Sequence, residues 1–153
     1  PEDLVTRWVV LWLSGLDLTD LDVLYGVVRM AEAAEVCGLP TVIGSELSIG
    51  LPEPQNGVAD PVGSHLLVLA NGPEVYRRLA RALTDAYLAE GGHKGHPVHN
   101  LDHLAEVADG HWTVLTGCRK GAVRQGLAKG VPQAEAELRR LVDLLASTTF
   151  WSS

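Results

Sequence analysis

His65-Leu66-Leu67-Val68-Leu69-Ala70-Asn71-Gly72-Pro73-Glu74 is the stretch on which the fold turns. The unbroken apolar run Leu66 to Ala70 suits a strand buried on both faces. Asn71-Gly72-Pro73 is turn chemistry leading into a helix from Glu74 to Ala89, which sets Tyr76, Leu79, Leu83 and Tyr87 on one face. A buried strand feeding an amphipathic helix is the repeating unit of an α/β sheet, and the flanking sequence supplies more of them.

Upstream, Pro1 to Leu13 opens with Pro, Glu and Asp and places Leu4, Val5, Trp8, Val9 and Trp12 at helical spacing. Gly15 breaks that helix. A short strand, Leu16 to Thr19, ends at Asp20-Leu21-Asp22, and a helix over Leu24 to Cys37 is closed by Gly38-Leu39-Pro40. A second strand starts at Thr41 and reaches Glu46, and the proline-rich segment Leu51 to Gly63 reads as a surface loop. Downstream, Gly91 to Pro97 is loop, Leu101 to Ala108 a short helix, and Trp112 to Thr116 another buried strand. Helices over Ala122 to Lys129 and Pro132 to Ala146 close the chain. The pattern predicts an α/β fold in which parallel strands alternate with helices, with four strands, too few to close a barrel. No internal repeat and no interdomain linker interrupts it, so residues 1–153 read as one domain.

At 153 residues the chain is long enough to bury a continuous core. Twelve Lys and Arg against nineteen Asp and Glu leave a formal charge of −7, which opposes unaided binding to a phosphate backbone. The apolar run Trp8 to Leu13 falls well short of the roughly 20 residues of a membrane span. Pro1-Glu2-Asp3 lacks the basic flank of a secretory signal, so the expectation is a cytoplasmic chain with no membrane partner. Cys37 and Cys118 form no CxxC pair, which argues against a disulfide framework or a zinc ribbon.

Polar groups beyond the strand ends form the usual site of an α/β protein, and here they are Asp20, Asp22, Glu46 and Cys118. Such a set could share a divalent metal and lower the pKa of a bound water. The alternative reading makes Asp20 a turn cap, Glu46 a solvated strand end and Cys118 a small buried apolar residue. His93, His96, His99 and His103 also have spacings that suit a metal. Gly91, Gly92, Gly95 and Pro97 among them favour a surface loop, and His111 reads as a surface residue. Arg77, Arg78 and Arg81, and then Arg119, Lys120 and Arg124, read as solvated basic faces. Gly117 to Gly121 could offer backbone N–H groups to an anion, without the ending of a P-loop. Trp8 and Trp12, four apart, read as core or interface packing.

These residues together resemble the PHP (polymerase and histidinol phosphatase) domain of bacterial C-family DNA polymerases, most closely the error-prone actinobacterial branch. The resemblance is carried, in order, by Leu18-Thr19-Asp20-Leu21-Asp22 with Leu24-Tyr25-Gly26, Gly44-Ser45-Glu46-Leu47, Pro54-Gln55-Asn56-Gly57, His65 to Ala70, Tyr76-Arg77-Arg78-Leu79, and Leu115 to Gly121. It implies a distorted (β/α) barrel, here incomplete. It also implies metal ligands that fall on Leu21, Glu46, His65 and Cys118. Leucine is no ligand, so any divalent metal, zinc or manganese, would be held weakly or not at all by Glu46, His65 and Cys118. His65 gains its role only from the resemblance, because a parallel strand would put it at the wrong end.

The sequence starts after the family's first strand, with its HxH motif, and stops before its last, with its Asp-x-His pair. Thr6 to Gly15 and Ala146 to Ser153 fit the family poorly. The resemblance therefore implies a partial PHP domain belonging to an error-prone DNA polymerase used in translesion synthesis and repair, with a structural role. Its partners would be the rest of the polymerase chain, and DNA only through the full-length protein. No palm or fingers are present, so this chain would not polymerise DNA alone. The alternatives are a residual metal-dependent phosphoesterase or 3′–5′ exonuclease, and a self-associating module in which Trp8, Trp12 and Trp151 help form an apolar patch.

Overall fold

A computed structural model describes residues 2–55, 62–117, 119–145 and, for the backbone alone, 149–151. In chain order the elements are α1 (Glu2–Val10), β1 (Leu16–Leu21), α2 (Val27–Cys37), β2 (Thr41–Ile49), β3 (Ser64–Ala70), α3 (Pro73–Leu88), α4 (Leu101–Ala108), β4 (Thr113–Leu115), α5 (Ala122–Leu127), α6 (Val131–Leu144) and β5 (Thr149–Trp151). The strands form one open sheet in sequential order from β1 to β5. The α/β class and the incomplete barrel are as expected. The wholly parallel sheet is corrected: β1 and β2 are parallel, as are β4 and β5, but β3 runs antiparallel to both neighbours. A fifth strand, β5, also joins the sheet beyond the four read from periodicity. Among the described residues, no helix is long and apolar enough to cross a membrane.

Strand alternation and the ladder registers divide the sheet into two faces. Leu47, Leu66, Val68, Ala70 and Val114 share one face and pack with Val75, Leu79, Leu83, Leu104, Trp112 and Leu141 into the main core. A smaller cluster of Val5, Leu16, Met30 and Ala34, with Trp8 and Leu18 against it, continues the same face under α1 and α2. Thr19, Leu21, Glu46, Leu67, Leu69 and Leu115 lie on the other face and remain partly exposed. So β3 is buried on one face only, because the sheet stays open where a closed barrel would cover the second.

Local sequence explains most boundaries. Gly38, at φ 63°, ends α2 in the left-handed conformation, with Gly38 and Leu39 N–H groups donating back to Glu35 and Ala34 carbonyls. Asn100 caps α4 by accepting from the N–H groups of Asp102 and His103 at 2.8 and 3.1 Å. A side chain at Gly44 would place its Cβ 2.8 Å from Thr19 Cγ2 and 2.9 Å from Leu69 Cδ2, with the Val68 carbonyl nearer still. The strands on either side of β2 therefore require glycine there. Helix α1 stops at Val10, before Trp12, whose φ is 56° and whose surface is 93% exposed. Trp8 reaches the smaller core cluster and Trp12 does not share its helical face, which corrects the pairing of the two.

Candidate metal centre

The reversed direction of β3 brings its first residues beside the last residues of β2, with Ser48 opposite His65 and Glu46 opposite Leu67. His65 lies two residues from Leu67 on the same face, so it reaches diagonally to Glu46. Its Nδ1 sits 2.8 Å from Glu46 Oε1. The histidine is 7% exposed and the carboxylate 29%. Leu21, the last residue of β1, is the register partner of Glu46 on its other side. Leu21, Glu46 and His65 thus occupy one corner of the open face, although 44 positions separate the first from the last. The solvated reading of Glu46 is replaced by this pairing.

Among the described residues, His65 Nε2 is buried and has no hydrogen-bond partner. With Nδ1 engaged by the Glu46 carboxylate, Nε2 is the ring nitrogen open to a further partner. A carboxylate that orients a ring whose other nitrogen stays bare is the usual arrangement around a metal-binding histidine. In that respect His65 fits a divalent cation, while Glu46, engaged at the opposite ring nitrogen, orients that ligand and would reach the same ion only by giving up this bond. The remainder of the corner is poorer. Leu21 supplies no donor. Asp20 Oδ2 accepts from the N–H of Gly26 at 3.4 Å, as a turn cap would. No group of three or more His, Cys, Asp or Glu able to hold a metal occurs among the described residues, and Cys118 lies outside them.

Asp22 is turned away from this corner and holds the most buried polar network of the chain. Its backbone adopts φ 55°, its N–H donates to the Glu46 carbonyl at 2.9 Å, and its side chain is fully buried. Asp22 Oδ1 accepts from the Ser48 N–H at 2.8 Å and from His99 Nε2 at 2.9 Å, and Oδ2 accepts from the Gln55 amide at 2.5 Å. Burial by itself raises the carboxyl pKa. The bonds from His99 and Ser48 outweigh it and hold Asp22 below the ordinary aspartate value.

The four histidines expected on one surface loop are distributed among three settings. His93 and His96 stack at 5.1 Å and exchange backbone hydrogen bonds. His103 Nε2 meets Asp85 Oδ2 at 2.9 Å. The His99 side chain is wholly buried against Asp22, which corrects its placement on the surface. Sequence reasoning missed it because the contact joins positions 77 apart. The string Asp109-Gly110-His111 matches Asp-x-His in letters but forms the turn between α4 and β4, where His111 Nδ1 lies 2.6 Å from the Asp109 carbonyl.

The family model of the PHP domain matches residues 1–151. The chain belongs to the PHP domain family. An error-prone DNA polymerase of Cutibacterium acnes is 86% identical over 144 residues, which are 94% of this chain and 13% of that protein. Error-prone DNA polymerases of Mycolicibacterium paratuberculosis and Mycobacterium tuberculosis are 55% and 54% identical over 145 residues, again 13% of their length. The chain therefore spans about an eighth of these relatives. A crystal structure of a Bifidobacterium adolescentis protein, described as a metal-dependent phosphoesterase, superposes with a TM-score of 0.50 at 14% identity, covering all of this chain and 80% of the other. That likeness confirms the fold of this PHP domain.

Proposed function

We propose that this PHP chain is part of the N-terminal region of an error-prone DNA polymerase that acts in translesion synthesis and repair in the cytoplasm, where it supports the polymerase body. The observation that carries the reading is the 86% identity to one such polymerase over nearly the whole chain. The partly exposed face of the sheet supports it too, since Leu67, Leu69 and Leu115 are apolar residues that the rest of a longer chain would cover. Deleting residues 16–144 from the full-length polymerase tests the role. The expected result is loss of both thermal stability and primer extension, and unchanged stability and activity would overturn it.

The metal centre in this reading is degenerate. Glu46, His65 and Cys118 would hold a divalent ion, zinc or manganese, and Leu21 leaves one ligand position unfilled. When bound, such an ion supplies Lewis acidity to a phosphoryl oxygen and acidifies water. The chain's own contribution is to hold the His65 ring by its Nδ1 and to leave Nε2 without a hydrogen-bond partner. That bare nitrogen favours a second reading, a residual metal-dependent phosphoesterase or 3′–5′ exonuclease. Hydrolysis that depends on added manganese or zinc and disappears in Glu46→Ala is its expected signature. Equal hydrolysis by the variant would exclude it.

A further inference from the structure

The chain carries a formal charge of −7, yet six of its twelve Lys and Arg lie between Arg119 and Arg140, opposed in that span only by Glu135 and Glu137. This segment contains α5 and α6, which pack tightly because Gly126 lets Ala134 approach: a Cβ at Gly126 would lie 3.0 Å from the Ala134 Cα. Between the two helices and the start of β3 is a cavity of about 210 Å³. Its wall is apolar where Leu66 and Leu141 line it, Ser64 and His65 of β3 contribute polar groups, and Lys129, Gln133, Glu137 and Arg140 supply a further polar side. Among the described residues, the Lys129 ammonium and the Gln133 amide have no hydrogen-bond or ion-pair partner. Arg140 Nε reaches Glu137 Oε2 only at 3.5 Å, and both remain partly exposed.

We propose that this cavity is a binding site for a phosphate group. Two cations, Lys129 in the turn between α5 and α6 and Arg140 on α6, with the Gln133 amide as a further donor, match the charge and acceptor pattern of phosphate, and the Arg140 fork suits its oxygens. The volume is below the roughly 300 Å³ at which pockets take whole small molecules. The site therefore takes the phosphate itself, and any nucleoside attached to it stays outside. The cavity adjoins the proposed metal corner, because His65 also lines it, but the cations assigned to phosphate, Lys129 and Arg140, are not groups of that corner.

The test is NMR titration of the ¹⁵N-labelled 153-residue chain, with chelator present so that bound metal plays no part. Inorganic phosphate, deoxyadenosine 5′-monophosphate and deoxyadenosine are the probes. Phosphate and the nucleotide are expected to shift the amides of residues 126–141 and to compete with each other, while the nucleoside shifts none. Lys129→Gln and Arg140→Gln should each weaken binding about fivefold or more, and Glu137→Gln should tighten it severalfold. Spectra of the free variants report their folding. Absence of shifts in that segment, shifts that persist in the Lys129→Gln/Arg140→Gln double variant, or equal binding of the nucleoside would overturn the proposal.

Discussion

At the scale of single residues, Asp22 and His99 are the pair whose loss the fold should feel most. Both side chains are fully buried, and Asp22 also fastens the backbone of β2 at Ser48. His99→Ala leaves the carboxylate short of one of its partners, and the expected cost is about 1–3 kcal/mol, read from the denaturation midpoint. The pH dependence follows from the sign of the Asp22 shift. A carboxyl depressed in the folded state contributes stability that is complete above the ordinary aspartate value of about 3.9 and is lost as pH falls through the lower folded value. Asp22→Asn should therefore be less stable near neutrality and lose less stability than the parent below about pH 4. A variant whose acid limb coincides with the parent's would contradict the assignment. Glu46 was legible at this scale as a polar group ending an apolar strand. His99 was not, because glycines and a proline before it indicate a loop and say nothing of which loop residue turns inward.

Elements behave differently, because their existence is local and their direction is not. The hydrophobic period located α2, α3, α4 and α6 within a few residues, and the apolar runs located β1 to β4. Nothing in the apolar run of β3 distinguishes a parallel from an antiparallel strand, since direction is set by how the segment before it returns to the sheet. That single reversal moves His65 from the far end of the sheet to a point 2.8 Å from Glu46. The pairing of α5 with α6 depends on Gly126, so Gly126→Val is expected to lower stability by about 1–3 kcal/mol as the helices separate. Helix α1 is tied at its start by the Glu2 carboxylate, which takes two 2.7 Å bonds from Arg29, and is followed by the exposed run Leu11, Trp12 and Leu13. Trp12→Ser should leave the unfolding midpoint within about 0.5 kcal/mol of the parent. Light scattering should show less concentration-dependent association in this variant, and unchanged association would remove Trp12 from any self-associating patch.

For the whole molecule, the open sheet and the proposed metal corner point the same way. Helices cover one face, the other is left half-exposed, and Leu21 stands beside Glu46, whose carboxylate meets His65, where a histidine would add a donor. The proposal is that this corner is the remnant of a PHP metal site in which Leu21 occupies one ligand position. Isothermal titration of zinc into the purified, metal-stripped chain, its Leu21→His variant and its His65→Ala variant tests it most directly. Weak binding is expected in the parent, an affinity at least about tenfold higher in Leu21→His, and no binding in His65→Ala. Tight stoichiometric zinc in the parent that survives His65→Ala, or a Leu21→His variant that binds no better than the parent, would contradict it.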